Sequence, residues 1–277
     1  MSAQKTTVLM YHALTEKLEQ GINSIHIGVE MFEQQMAWLN VQNYESITVT
    51  ELYQRLSKRL PIINTIVITF DDGYSSLLHK ASPILKKYGL VATLFLTTDF
   101  VGMPKYALKG DFARGLPLAD RPLTWDELLE MQSDGWDIQA HSCTHRAHDK
   151  LIDEQLVMEM EGSRYFINKH LKQNSAFYAF PFGNYNKNVL DKLIKANYLA
   201  GFSVHGGQVS SASDLRRLPR NEINTECALH IFSKLVRSGY RSDVDEYRSR
   251  LRNILFHYPL IKDIIKKVVT LRWSGRV

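Results

Sequence analysis

Hydrophobic and polar positions follow two periods that take turns along the chain. Short β-rich apolar runs at 8–11, 46–49, 66–70, 92–97, 136–140, 177–180, 201–204 and 218–223 predict strands. Between most of them, apolar residues spaced three and four apart predict helices at 30–39, 50–59, 75–88, 124–134, 153–171 and 186–196. The junctions share a form: a helix, then Gly or Asn, one apolar residue, and a β-rich run. Asn43, Gly89, Gly135 and Asn197 occupy the Gly/Asn position, and the first three are 46 residues apart. Such residues suit the left-handed conformation that ends a helix. Thr124 and Glu127 have the spacing of a capping box at the start of the fourth helix. Strand and helix in alternation predict an α/β fold with a largely parallel sheet, and seven or eight units predict a barrel, whose chemistry collects where strands end. The segment 102–122 holds three prolines and three glycines, breaks the alternation, and is expected to overhang that face.

Two strand ends carry reactive side chains. The run TIVITFDDGY, 65–74, ends in Asp71, Asp72 and Gly73. Side chains alternate along a strand, so the two carboxylates point in different directions and one can bind a metal while the other handles protons. The alternative is an ordinary strand-end turn in which an Asp caps the helix starting near Ser75. The run WDIQAHSCTHRAHD ends another strand with His141 and His145, four residues apart, which can converge on one ion. Two imidazoles at one strand mouth and two carboxylates at another suggest an open hydrolytic metal site.

TFDDGY, HSCTH and AFPFG, in that order, resemble the polysaccharide deacetylases of carbohydrate esterase family four, the NodB-homology domain; the resemblance covers about residues 8–223. It implies a distorted (β/α)7–8 barrel that removes N-acetyl or O-acetyl groups from saccharides with one divalent metal ion, usually zinc. By the same resemblance Asp71 matches the catalytic base, and Asp72, His141 and His145 match the metal ligands. Pro181 would shape the groove wall, and the Phe182 N–H would be an oxyanion donor. Tyr11 and Phe182 are candidates for stacking on a sugar ring. Two departures stand out. Many family members start the third motif with an arginine that orients the base, where this chain has Ala179; Arg220 is the candidate replacement. No late Leu-x-His motif supplies the usual proton donor. LMYHAL instead resembles the PgaB- and IcaB-like subgroup, whose first strand ends in Tyr-His, and so points to His12 as the general acid, with His205 as its rival. His148 is expected to be a plain exposed histidine rather than a support for the ligands.

Composition narrows the reading further. Of the net charge of +5, residues 241–277 carry the whole surplus, nine Lys or Arg against four Asp or Glu. A neutral body argues against a nucleic-acid partner. Cys143 and Cys227 are too far apart and too few for a disulfide framework or a thiolate zinc site. The opening residues lack the regions of a secretory signal, which predicts a cytoplasmic location and a nucleotide- or lipid-linked saccharide as the accessible substrate. Residues 1–233 are expected to form the barrel and 234–277 a basic helical extension. Its apolar positions, among them Leu260, Ile264 and Val268, either dock on the barrel or touch an anionic membrane surface or glycan-synthesis machinery. Two other functions fit less of the pattern. A related barrel could cleave a linear amide in a non-sugar metabolite, or a non-catalytic barrel could bind glycans.

Overall fold

The computed structural model describes residues 4–16, 26–106 and 120–257, with side chains as far as 251. The first half of the chain contains β1 (Lys5–Tyr11), β2 (Leu14–Thr15), β3 (Ile27–Gly28), α1 (Val29–Val41), β4 (Glu45–Ser46), α2 (Val49–Ser57), β5 (Thr65–Asp72), α3 (Ser82–Lys87), β6 (Thr93–Leu96) and α4 (Trp125–Ser133). The second half continues with β7 (Asp137–Ala140), α5 (Asp153–Leu171), β8 (Phe177–Ala179), α6 (Lys187–Lys195), β9 (Ala200–Phe202), β10 (Gln208–Ser210), β11 (Asn221–Glu222), α7 (Leu229–Ser238) and α8 (Asp243–His257).

Strands β1, β5, β6, β7, β8 and β9 run parallel in that order. The segment 218–222 closes the curve: Leu218 bridges Phe202, while Asn221 and Glu222 pair in parallel with Leu9 and Met10 of β1. The expected barrel is therefore present as a seven-membered ring, with the short antiparallel β10 added outside β1. β5 pairs with β1 on one side and β6 on the other and is buried along its whole length, which is why Ile66, Val67 and Ile68 form an unbroken apolar run rather than alternating.

The four junction residues behave as their chemistry requires. Asn43, Gly89, Gly135 and Asn197 all have positive φ, between 54° and 94°. The next N–H, of Tyr44, Leu90, Trp136 or Tyr198, bonds back to a carbonyl five residues earlier. This is the Schellman closure, and its apolar residue starts the walk to the next strand. At the start of α4 the Thr124–Glu127 capping box is formed in both directions.

Three elements differ from expectation. The 46–49 strand stops at Ser46, because the Thr48 hydroxyl accepts from the Glu51 N–H and starts α2 at Val49. The 75–88 helix is split into a π-turn, Leu77–Ala81, and α3, because Pro83 has no N–H to continue the ladder. The expected boundary at 233 falls inside α7, whose Phe232, Leu235 and Val236 are buried and whose Val236 carbonyl accepts from the Thr7 hydroxyl at 2.8 Å. The basic amphipathic stretch 260–271 and the middle of the 102–122 segment lie outside the described residues. The ends of that segment are anchored beside the acidic pair, where Leu123 N–H donates to the Gly73 carbonyl at 2.9 Å and Ser75 N–H to that of Arg121 at 2.8 Å. No helix among the described residues is long and apolar enough to cross a membrane.

Candidate active site

Parallel strands deliver their last side chains to one rim, and β5 delivers two carboxylates. Asp71 and Asp72 are both buried and diverge as alternation demands. Neither caps the following helix. Asp120 serves there instead, accepting from the Ser75 hydroxyl at 2.9 Å and the Ser76 N–H at 3.0 Å. The chain leaves β5 sharply: Asp72 has φ 75° and Gly73 φ 99°, and a Cβ on Gly73 would stand 2.6 Å from the Leu96 side chain.

Asp71 turns toward Arg220. The guanidinium donates to both carboxylate oxygens, at 2.6 and 2.8 Å, and its Nε donates to the Ser203 carbonyl at 3.2 Å. The Phe95 ring lies 5.1 Å beneath it. Arg220 is fully buried, which the planar five-donor group permits when it is forked onto a carboxylate. Burial works to raise the Asp71 carboxyl, but the charge of the Arg220 guanidinium forked onto it holds it down at about 2. The guanidinium missing at Ala179 thus arrives from another strand.

Asp72 turns the other way. Its Oδ1 is 3.3 Å from His145 Nε2 and 3.7 Å from His141 Nε2, and it is a buried atom with no hydrogen-bond partner. Donor atoms of all three residues lie within 4.8 Å of one another. Two ligands of a tetrahedral zinc with bonds of about 2.0–2.1 Å stand about 3.3 Å apart, so the set fits such an ion. His141 Nδ1 faces the Ala179 carbonyl at 2.9 Å; a carbonyl only accepts, so Nδ1 carries the proton and Nε2 offers its lone pair. Burial drives His141 down to about 3 and His145 to about 4, keeping both rings neutral as metal binding requires. Burial, joined by the Asp71 charge and opposed by His12, pushes the Asp72 carboxyl up to about 6.

The remaining candidates divide. His12 follows Tyr11, whose register partner is Phe70, so His12 and Asp71 leave the sheet side by side. Its charge favours ionisation of both Asp71 and Asp72, and its Nδ1 is buried without a hydrogen-bond partner. Pro181 is buried in the turn after β8, and Phe182 sits at φ 59° with its ring edge-on to His145 at 4.6 Å. Tyr11 is not a sugar platform. It is fully buried against Phe32 and Phe70, each 5.3 Å away, and its hydroxyl donates to Gln35 at 2.8 Å; the last inward residue of β1 points into the core. His205 is buried beside the Ser203 hydroxyl. His148 is not an exposed residue: it is fully buried, with Nε2 2.6 Å from the Tyr178 hydroxyl and Nδ1 2.7 Å from the Arg146 carbonyl.

Backbone strain gathers at the same rim. Among the described residues nine other than Gly have positive φ, and four of them, Asp72, Ser142, His145 and Phe182, belong to this site. One contributor was overlooked in the sequence. Glu159 of α5 is buried under the 142–145 turn, and its detectable trace was a lone charge on a helix stripe otherwise made of Leu156, Met160, Ser163, Ile167 and Leu171.

Comparison with known proteins agrees with the geometry. A profile of the family described as Polysaccharide deacetylase matches residues 61–201, half of the chain. The poly-beta-1,6-N-acetyl-D-glucosamine N-deacetylase of Staphylococcus aureus (strain MSSA476) is 26% identical over 225 residues, 77% of this chain and 73% of that protein. Streptococcus pyogenes deacetylase PplD, solved in complex with acetate, superposes with a TM-score of 0.72 at 27% identity, covering 86% of this chain and 99% of its own. IcaB from Ammonifex degensii shares the fold, with a TM-score of 0.69 at 17% identity over 85% of this chain and 98% of its own. Profile, relatives and rim geometry lead to one assignment: the chain belongs to the polysaccharide deacetylase family.

Proposed function

We propose that the protein is a metal-dependent hydrolase that removes acetyl groups from an N-acetylated saccharide. The observation that carries this reading is the convergence of Asp72, His141 and His145 beside an Asp71 that Arg220 holds ionised. The named activity of the Staphylococcus aureus relative and the acetate held by the Streptococcus pyogenes deacetylase support the substrate class.

Asp72, His141 and His145 would hold one divalent cation, zinc by the chemistry of two neutral imidazoles and a carboxylate. When bound, such an ion makes water acidic and polarises the acetyl carbonyl. Asp71 accepts the proton of the attacking water, and Arg220 fixes the direction from which it does so. The Phe182 N–H, in the strained turn after β8, donates to the carbonyl oxygen as negative charge grows there. As the carbon–nitrogen bond breaks, His12 gives its proton to the leaving nitrogen, and acetate and the amino sugar are released. Pro181 holds the wall of the turn that presents Phe182.

Acetate release from β-1,6-linked N-acetylglucosamine oligomers tests this. Activity is expected to vanish with a chelator, return with zinc, and fall about 10²- to 10⁴-fold in Asp71→Asn, the usual worth of a general base. Full activity in chelator-treated protein would rule the reading out.

A further inference from the structure

Helix α5 carries a carboxylate that this mechanism does not use. Leu156, Met160, Ser163, Ile167 and Leu171 recur along its buried stripe, and Glu159 sits among them at 4% exposure. A charge in that position is costly unless its oxygens are satisfied. They are satisfied by the metal-ligand turn: Oε2 accepts from the N–H groups of Cys143 at 2.9 Å and Thr144 at 2.8 Å, and Oε1 accepts from the Thr144 hydroxyl. None of the ion pairs among the described residues includes Glu159, so these donors are its support.

We infer that Glu159 is the positioning residue that fixes the 142–145 turn and thereby aims His145 at the cation; the inference rests on the metal reading above. The turn is strained, with Ser142 at φ 72° and His145 at φ 57°. Residues in that region carry backbone strain and persist only when surrounding contacts hold them. Ser142 Oγ accepts from the His145 N–H at 2.9 Å, which closes the turn on itself but does not attach it to the body of the protein. The Ser142 and Cys143 carbonyls accept from the Thr98 and Asp99 N–H groups at 3.2 and 3.0 Å, and Glu159 adds the attachment nearest His145, on the N–H groups of Cys143 and Thr144. Gly162, one turn further along α5, lets the helix come close, since a Cβ there would stand 2.8 Å from the Cys143 sulfur. His141 is held separately, by the end of β7 and the Ala179 carbonyl. Loss of Glu159 therefore loosens one of three ligands and leaves two in place.

The test is zinc affinity of the full chain, by titration against a buffered chelator, with the visible absorption of the cobalt(II) form reporting ligand geometry. Glu159→Ala is expected to bind zinc about 10- to 100-fold more weakly, the usual effect of losing an outer support, and to shift the cobalt bands. Glu159→Gln keeps an oxygen for both N–H groups and turns an NH2 to the Thr144 hydroxyl, so it is expected to stay within about threefold of wild type. If Glu159→Ala does not fold, Glu159→Asp, one methylene too short to reach all three donors, is expected to give a smaller loss of the same kind. Unchanged affinity and cobalt spectrum in a folded Glu159→Ala or Glu159→Asp overturns the inference. So does an equal loss in Glu159→Gln, because charge and not placement would then carry the effect. Wild-type protein that binds no zinc overturns the metal reading itself.

Discussion

Asp71 stays ionised in a buried site because Arg220 is forked onto it, and this pairing decides what each replacement does. Arg220→Met leaves a buried carboxylate without its cation, so the protein is expected to lose about 3–5 kcal/mol of stability, measured by urea denaturation. The same change frees burial to raise the Asp71 carboxyl. A base works only when ionised, so the acid limb of the pH–rate profile is expected to move to higher pH. An unmoved limb would mean that Arg220 supports the fold alone. Tyr11→Phe tests the opposite assignment. It leaves the buried Gln35 oxygen without its donor and is expected to cost about 1–2 kcal/mol while KM for the saccharide stays unchanged. A raised KM with normal stability would return Tyr11 to the substrate.

Elements were legible where one residue type has one backbone role. Asn43, Gly89, Gly135 and Asn197 announced four helix ends, and Thr124 with Glu127 announced a beginning. The strands β2, β3 and β10 were not legible, since two or three residues are too few to show a period. Arg220 reaches Asp71 across 149 residues of chain; no local pattern encodes that pairing, and it was legible only because the family resemblance left the base without its arginine at Ala179. Tyr11 misled because an aromatic at a strand end can face the groove or the core, and only packing decides. The α4 cap makes a prediction at this scale. The Arg121 hydrogen bond, acting against burial and helped by the Thr124 N–H, holds the Glu127 carboxyl down at about 2. A carboxyl whose pKa is depressed on folding contributes stability above its unfolded value, near 4.3, and loses it as pH falls toward 2. Glu127→Gln is expected to cost about 1 kcal/mol at pH 7 and almost nothing near pH 2, read as the gap between the two melting curves. A gap of the same size at both pH values would show that the ionised carboxylate is not what stabilises the cap.

For the whole molecule the question is where the barrel ends. The ring closes when 218–222 lies down between β9 and β1, which places the start of α7 against the outside of β1. Phe232 packs edge-on to Trp38 of α1 at 5.8 Å, and the Val236 carbonyl takes the Thr7 hydroxyl, so α7 is held to both α1 and β1. Arg241 reaches back to the Glu222 carbonyl at 2.5 Å, and the Ser249 hydroxyl of α8 donates to that of Gly206 at 2.7 Å. These contacts bear on the strand that carries Arg220, and so on the base. A chain ending at 233 keeps every motif residue but removes Leu235, Val236 and the acceptor of Thr7. It is expected to expose the β1–α1 face and lose most of its cooperative melting. Ending the chain at 257 keeps both helices and is expected to preserve the transition. Phe232→Ala in the full chain should cost about 3–5 kcal/mol, as for other large aromatics removed from a packed interior. If the protein ending at 233 melts as sharply as the full chain, α7 is an attachment to the barrel and not a part of it.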